Sequence, residues 1–126
     1  MPISIHYDPG QNVLHSKATG VISFKDIMAY YSKIERLDLK PGYSVLADYT
    51  EGSTDLKYND IARMVEKRRS ISLKSGMLKI AVVAKSDVVF GMARMYQAII
   101  GEEHFEVNVF RDRGEALRWL GISDLS

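Results

Sequence analysis

The feature that most constrains this sequence is the run Leu78-Lys79-Ile80-Ala81-Val82-Val83-Ala84. It is short, rich in β-branched and small apolar residues, and apolar at both odd and even positions. A strand of that kind offers apolar surface on both faces, whereas a strand with one wet face alternates. Both faces therefore have to be covered, which calls for helices packed on a largely parallel sheet. The next segment supplies one. Ser86 or Asp87 caps a helix with the stripe Val88/Val89, Met92, Ala93, Tyr96, Ile99 and Ile100, and Gly101 ends it.

The rest of the chain follows the same alternation. Ile3, Ile5 and Tyr7 share one side of an opening strand, Asp8-Pro9-Gly10-Gln11 is a turn, and Asn12 to Ala18 forms a second strand ending at Thr19-Gly20. Ser23 with Asp26 starts a helix whose stripe is Phe24, Ile27, Met28, Tyr31 and Ile34, broken at Leu39-Lys40-Pro41-Gly42. Tyr43 to Tyr49 reads as a strand, followed by a polar loop from Thr50 to Asp55. A helix from about Tyr58 to about Leu73 turns Ile61, Ala62, Met64 and Val65 inward and stops at Ser75-Gly76. Its Lys67-Arg68-Arg69 reads as a solvated face whose charge complements the helix dipole. Phe105 to Phe110 alternates, as a half-exposed edge strand does. Asp112 and Glu115 then open a short helix carrying Ala116, Leu117 and Leu120, flanked by Trp119. The pattern predicts an α/β fold: a mixed, mostly parallel five-stranded sheet with an N-terminal antiparallel hairpin and four helices, in a single domain over residues 1–126.

Composition narrows function mainly by exclusion. A chain of 126 residues buries roughly two thirds of its unfolded surface and can build one core without staples. Cysteine is absent, which removes disulfides, thiolate nucleophiles and cysteine-ligated metals. Lys plus Arg is 17 against 16 for Asp plus Glu, so no overall field points to nucleic acid. There is no signal-peptide pattern and no apolar run of ~20 residues, so a cytoplasmic protein without a membrane span is expected.

The element order, together with Val45-Leu46-Ala47-Asp48, Lys79-Ile80-Ala81-Val82-Val83, Phe90-Gly91-Met92-Ala93-Arg94-Met95-Tyr96 and Val109-Phe110-Arg111-Asp112-Arg113-Gly114-Glu115-Ala116-Leu117-Arg118-Trp119-Leu120, resembles the SpoIIAA-like (STAS-like) family of small bacterial proteins. That family is related in fold to STAS and CRAL-TRIO lipid-carrier domains. The likeness spans nearly the whole chain, and it implies a non-enzymatic module that binds a regulatory partner or a small ligand. In anti-sigma-factor antagonists of this kind, a phosphorylatable serine in Asp-Ser-Ser-Gly follows a parallel strand at a helix N-terminus. Here the corresponding stretch is Asp48-Tyr49-Thr50-Glu51-Gly52-Ser53-Thr54. The aspartate matches, Tyr49 replaces the first serine, and Thr50 stands at the acceptor position. No regulatory phosphorylation of Thr50, Ser53 or Thr54 is expected, because Glu51 and Asp55 oppose an added phosphate.

Three groups of residues are candidates for binding. Ligands of open parallel sheets gather at the carboxyl ends of the strands, which points to Asp48, Tyr49 and Thr50, to Lys85, Ser86 and Asp87, and to Arg111 and Asp112; helix capping is the competing explanation for several of these. On the third helix Phe90, Arg94 and Gln97 lie opposite the core stripe, an aromatic–arginine pairing suited to a protein partner or a homodimer. Met28, Met64, Met92 and Met95 with Tyr30, Tyr31 and Tyr96 are suited to a pocket for a small apolar ligand, or to simple core. His6, His15 and His104 lack acidic or cysteine partners at ligand spacing, so no metal is expected. No nucleophile–base pair or phosphate loop is present, so neither catalytic residues nor a cofactor are expected. The sequence thus favours a non-catalytic binding or regulatory module, with a carrier or sensor of a small hydrophobic ligand as the alternative.

Overall fold

The computed structural model describes residues 2–72 and 76–123. Strand β1 (Ile3–Asp8) runs antiparallel to β2 (Val13–Ile22), with His6 opposite His15. Helix α1 (Phe24–Glu35) leads to β3 (Ser44–Thr54), α2 (Tyr58–Ser72) to β4 (Leu78–Val83), and α3 (Asp87–Ile100) to β5 (Phe105–Phe110); α4 (Arg113–Leu120) closes the chain. The sheet order is β1-β2-β3-β4-β5, and every pair after the hairpin is parallel, each bridged by a helical crossover. The mixed five-stranded sheet with four helices is therefore present as the periodicity predicted.

Local chemistry sets the element ends. Ser23 accepts from the Asp26 amide at 3.2 Å while the Asp26 carboxylate accepts from the Ser23 amide at 2.9 Å, a reciprocal cap on α1. The Ser23 hydrogen bonds also hold the Asp26 carboxyl below its ordinary pKa. Ser86 caps α3 and Asp112 caps α4, and Gly121, at φ 70°, supplies the left-handed turn that ends α4.

The two sheet faces are covered unequally. Val45, Ala47 and Tyr49 of β3 face the layer formed by α1, α2 and α3, and the main core lies there. Leu46 faces the other side with Val13, Ala81 and Val83, where α4 contributes Ala116 and Leu117 to a smaller cluster. Helix α2 packs against α1 on one flank and α3 on the other.

Three expectations are corrected. First, Thr50–Thr54 is not a loop. Strand β3 continues to Thr54 because β2 continues to Ile22, past an irregularity between Lys17 and Thr19, and the two pair through Thr19–Glu51 and Ile22–Thr54. A Cβ added at Gly52 would stand 3.2 Å from the Ala18 carbonyl oxygen, so glycine permits the close approach of the two backbones. Second, Ala62 is exposed; the inward face of α2 is Ile61, Met64, Val65, Arg68 and Ser72. Third, Lys67-Arg68-Arg69 is not one solvated face. Lys67 pairs with Glu35 of α1 at 2.6 Å, Arg69 donates to the Ile99 and Ile100 carbonyls at the end of α3, and Arg68 points into the core. The expected helix end at Leu73 and Ser75 lies outside the described residues.

Candidate functional site

Between α1, α2, α3 and the sheet lies a cavity of about 80 Å³. Tyr30 and Tyr31 come from α1, Ala47, Tyr49 and Thr54 from β3, Met64 and Arg68 from α2, Ile80 and Val82 from β4, and Met92, Ala93 and Tyr96 from α3. Of the residues proposed from sequence for an apolar pocket, Met64, Met92, Tyr30, Tyr31 and Tyr96 line this space, and Met28 and Met95 do not. Tyr49, singled out as a strand-end residue, lines it as well. The walls are mostly aliphatic and aromatic, and among the described residues Arg68 is their only charged member.

Arg68 is the residue that sequence reasoning missed. It is 3% exposed, its guanidinium sits 4.9 Å from the Tyr31 ring centroid, and among the described residues Nε and Nη1 have no hydrogen-bond partner. Unmet donors on a buried charged group are costly. Burial works against the charge, but the nearby oxygens of Tyr96, Tyr31, Tyr30 and Tyr43 outweigh it and hold the arginine above its ordinary pKa. Around it, the Tyr30 hydroxyl hydrogen-bonds Ser16 at 2.7 Å, and the Tyr31 and Tyr96 hydroxyls meet at 3.4 Å. Burial pushes the pKa values of Tyr30, Tyr31 and Tyr49 up, most strongly at Tyr31, where the neighbouring Tyr96 adds to it. The tyrosines are therefore neutral hydroxyls at physiological pH. The signal for Arg68 was in the sequence: counted from Ile61, positions 64, 65, 68 and 72 continue one helical stripe.

The strand-end residues do not converge on one site. Asp48, 6% exposed, lies on the α4 face, where one carboxylate oxygen accepts from Arg113 Nη1 at 2.9 Å and the other from the Thr50 amide at 2.9 Å. It borders an open polar groove with His6, His15 and Lys17. The His6 and His15 ring centroids are 6.2 Å apart, and His104 is remote, beside Glu103. Arg111 draws the ends of β4 and β5 together, donating to the Lys85 carbonyl at 2.7 Å and to Asp87 at 2.9 Å. Ser86 is occupied as the α3 cap.

Phe90, Arg94 and Gln97 do not form an open ridge. Phe90 is half-buried against the main core, and the Arg111 guanidinium covers it at 4.0 Å from the ring centroid. Gln97 donates to the Val107 carbonyl of β5 at 2.6 Å, and Arg94 is exposed. Phe90→Ala is therefore expected to lower stability by about 2 kcal/mol through lost apolar burial and the lost cation–π contact. Denaturant unfolding measures it. An unchanged midpoint together with an altered sedimentation profile would instead make Phe90 an intermolecular contact.

A family model described as SpoIIAA-like matches residues 13–121. The chain belongs to the SpoIIAA-like family. A solved structure described as an uncharacterized protein of the DUF3478 family with a SpoIIAA-like fold, from Shewanella loihica PV-4, is similar over 94% of this chain and 91% of its own, with 21% identity and a TM-score of 0.62. That likeness speaks for the fold. No curated protein matches the sequence. In this SpoIIAA-like chain the stretch corresponding to the phosphoacceptor segment of antagonists lies within β3, not in a loop at a helix N-terminus. Among the described residues no helix is long and apolar enough to cross a membrane.

Proposed function

We propose that this SpoIIAA-like protein is a non-catalytic binding module that carries or senses a small apolar molecule in the cavity beneath α2. The observation that carries this reading is the composition of the cavity wall, in which aliphatic, methionine and tyrosine side chains from five elements meet around empty volume. Native interiors are close-packed, so space of this kind inside a small core is unusual unless something fills it. The wall also argues against chemistry. Tyr30, Tyr31 and Tyr49 are driven toward the neutral form, and the one charged group among its described residues is an arginine, which does not exchange protons near neutral pH. A role exercised mainly through a protein partner or homodimer has less support, because Phe90 and Gln97 are already engaged within the chain.

Toluene, neutral and slightly larger than the resting space of about 80 Å³, tests whether the cavity opens to take an apolar guest. Amide chemical-shift titration is expected to show saturable binding centred on Ala47, Met64, Ala93 and Tyr96. Ala93→Leu, which fills the space from α3, is expected to abolish it while retaining the fold. Absence of saturable shifts in the wild-type protein would overturn the reading.

A further inference from the structure

Among the described residues the cavity wall holds one cation and no anion. Every other described side chain in it is aliphatic, a hydroxyl or a thioether, while Arg68 is 3% exposed with two of its three guanidinium nitrogens unpartnered among the described residues. A buried charge is tolerated when it is paired and its hydrogen bonds are met. Here Tyr30 hydrogen-bonds the guanidinium and the other tyrosine oxygens stand near it, but no carboxylate in the described wall pairs it and Nε and Nη1 are left unmet. We propose that the ligand supplies the missing half: it is an apolar monocarboxylic acid whose carboxylate is held by Arg68 and whose hydrocarbon body fills the space toward Ala47, Met92 and Ala93. This rests on the reading of the cavity as a ligand site.

Each part of the ligand class follows from the wall. One guanidinium balances one negative charge, and among the described residues of the wall no second cation stands ready to hold a phosphate dianion. The planar fork of arginine matches the planar carboxylate, and the Tyr31 ring centroid 4.9 Å from the guanidinium carbon places a cation–π contact beside it. The Tyr31 and Tyr96 hydroxyls, which meet at 3.4 Å, leave one further donor beside the head group. The remaining wall offers no polar recognition beyond the tyrosine hydroxyls and Thr54, so the rest of the molecule is apolar.

Head-group pairs of matched shape test this. Benzoate and hexanoate are compared by calorimetric titration with their uncharged counterparts, benzamide and hexanamide. The wild-type protein is expected to prefer each acid by about tenfold or more, the scale of a desolvated charge-assisted contact. Arg68→Met, which keeps the length of the side chain, is expected to erase the preference while still binding toluene, and Arg68→Lys to retain part of it. Equal affinity for acid and amide in the wild-type protein, with toluene still bound, overturns the acid and leaves the apolar site standing. If toluene, acids and amides all fail to bind, both readings fall. A preference for the acids that survives in Arg68→Met overturns the assignment to Arg68.

Discussion

Arg68→Met is expected to raise the thermal midpoint of the unliganded protein. Most substitutions at positions 3% exposed destabilise, because they open a cavity or strand a partner. Methionine does little of either here, since only the Tyr30 hydroxyl loses a hydrogen bond to the guanidinium and that hydroxyl keeps Ser16. The new side chain fills the volume of the arginine stem, and Nε and Nη1 have no described hydrogen-bond partner to leave behind. What disappears is the desolvation of a permanent charge, and exchanging buried ionic groups for apolar ones of similar volume stabilises by about 1–4 kcal/mol. At this chain length each kcal/mol corresponds to roughly 3–5 °C, so calorimetry resolves even the lower end. The lost cation–π contact with Tyr31 opposes the gain but is smaller, at about 0.5–2 kcal/mol. A midpoint that falls would show that the tyrosine oxygens around Arg68 solvate it fully, and that the guanidinium is a structural cation. A gain would place Arg68 among residues that lower the stability of a fold in exchange for function.

Alkaline titration is expected to unfold this protein steeply. Tyr30, Tyr31 and Tyr49 all have pKa values raised in the fold, chiefly by burial. A raised value means that the native state holds its phenolic proton after the unfolded chain has released it. The associated stability is whole below the unfolded tyrosine pKa of about 10 and is lost as pH climbs above it. Each such tyrosine contributes a slope of about 1.4 kcal/mol per pH unit in that window, so the three together give about 4 kcal/mol per unit. Against a total stability of about 5–15 kcal/mol, unfolding is complete within one to a few pH units above the ordinary tyrosine pKa. Urea midpoints measured across this window, with tyrosinate absorbance followed in parallel, check both the slope and its origin. Tyrosines that ionise at their ordinary pKa while the urea midpoint stays flat would show that the three hydroxyls reach water.

Most of the architecture was legible because the signals were local and mutually consistent. Leu78–Ala84 announced a strand covered on both faces, Phe105–Phe110 an edge, and Ser23, Ser86 and Asp112 the starts of helices; each depends on near neighbours in sequence. The extension of β3 did not show, because Thr50-Glu51-Gly52-Ser53-Thr54 has the composition of a turn. Its strand conformation comes from pairing with Thr19–Ile22, a partner some thirty positions away, and strand preference follows such context more than composition. Arg68 was hidden for a different reason. By residue class Lys67-Arg68-Arg69 reads as one solvated block, whereas a helix points three successive residues in three directions. The clustering of aromatic and methionine side chains could be anticipated, but the empty volume among them could not. A void is a property of how α1, α2 and α3 sit on the strands, and no sequence spacing encodes it.

Beyond Asp48 strand β3 loses its β4 partner, and β2 and β3 continue as a two-stranded ribbon. Protein kinases take their substrates as extended chain whose backbone is free to lie in a cleft. In this ribbon the backbone from Glu51 to Thr54 is already engaged by β2, and the Thr54 hydroxyl is committed twice, donating to the Ile22 carbonyl and accepting from the Leu56 amide. Access for any modifying enzyme is therefore governed by how often the ribbon unzips, and the salt bridge between Lys17 and Glu51 at 2.7 Å ties its base, where it leaves the main sheet.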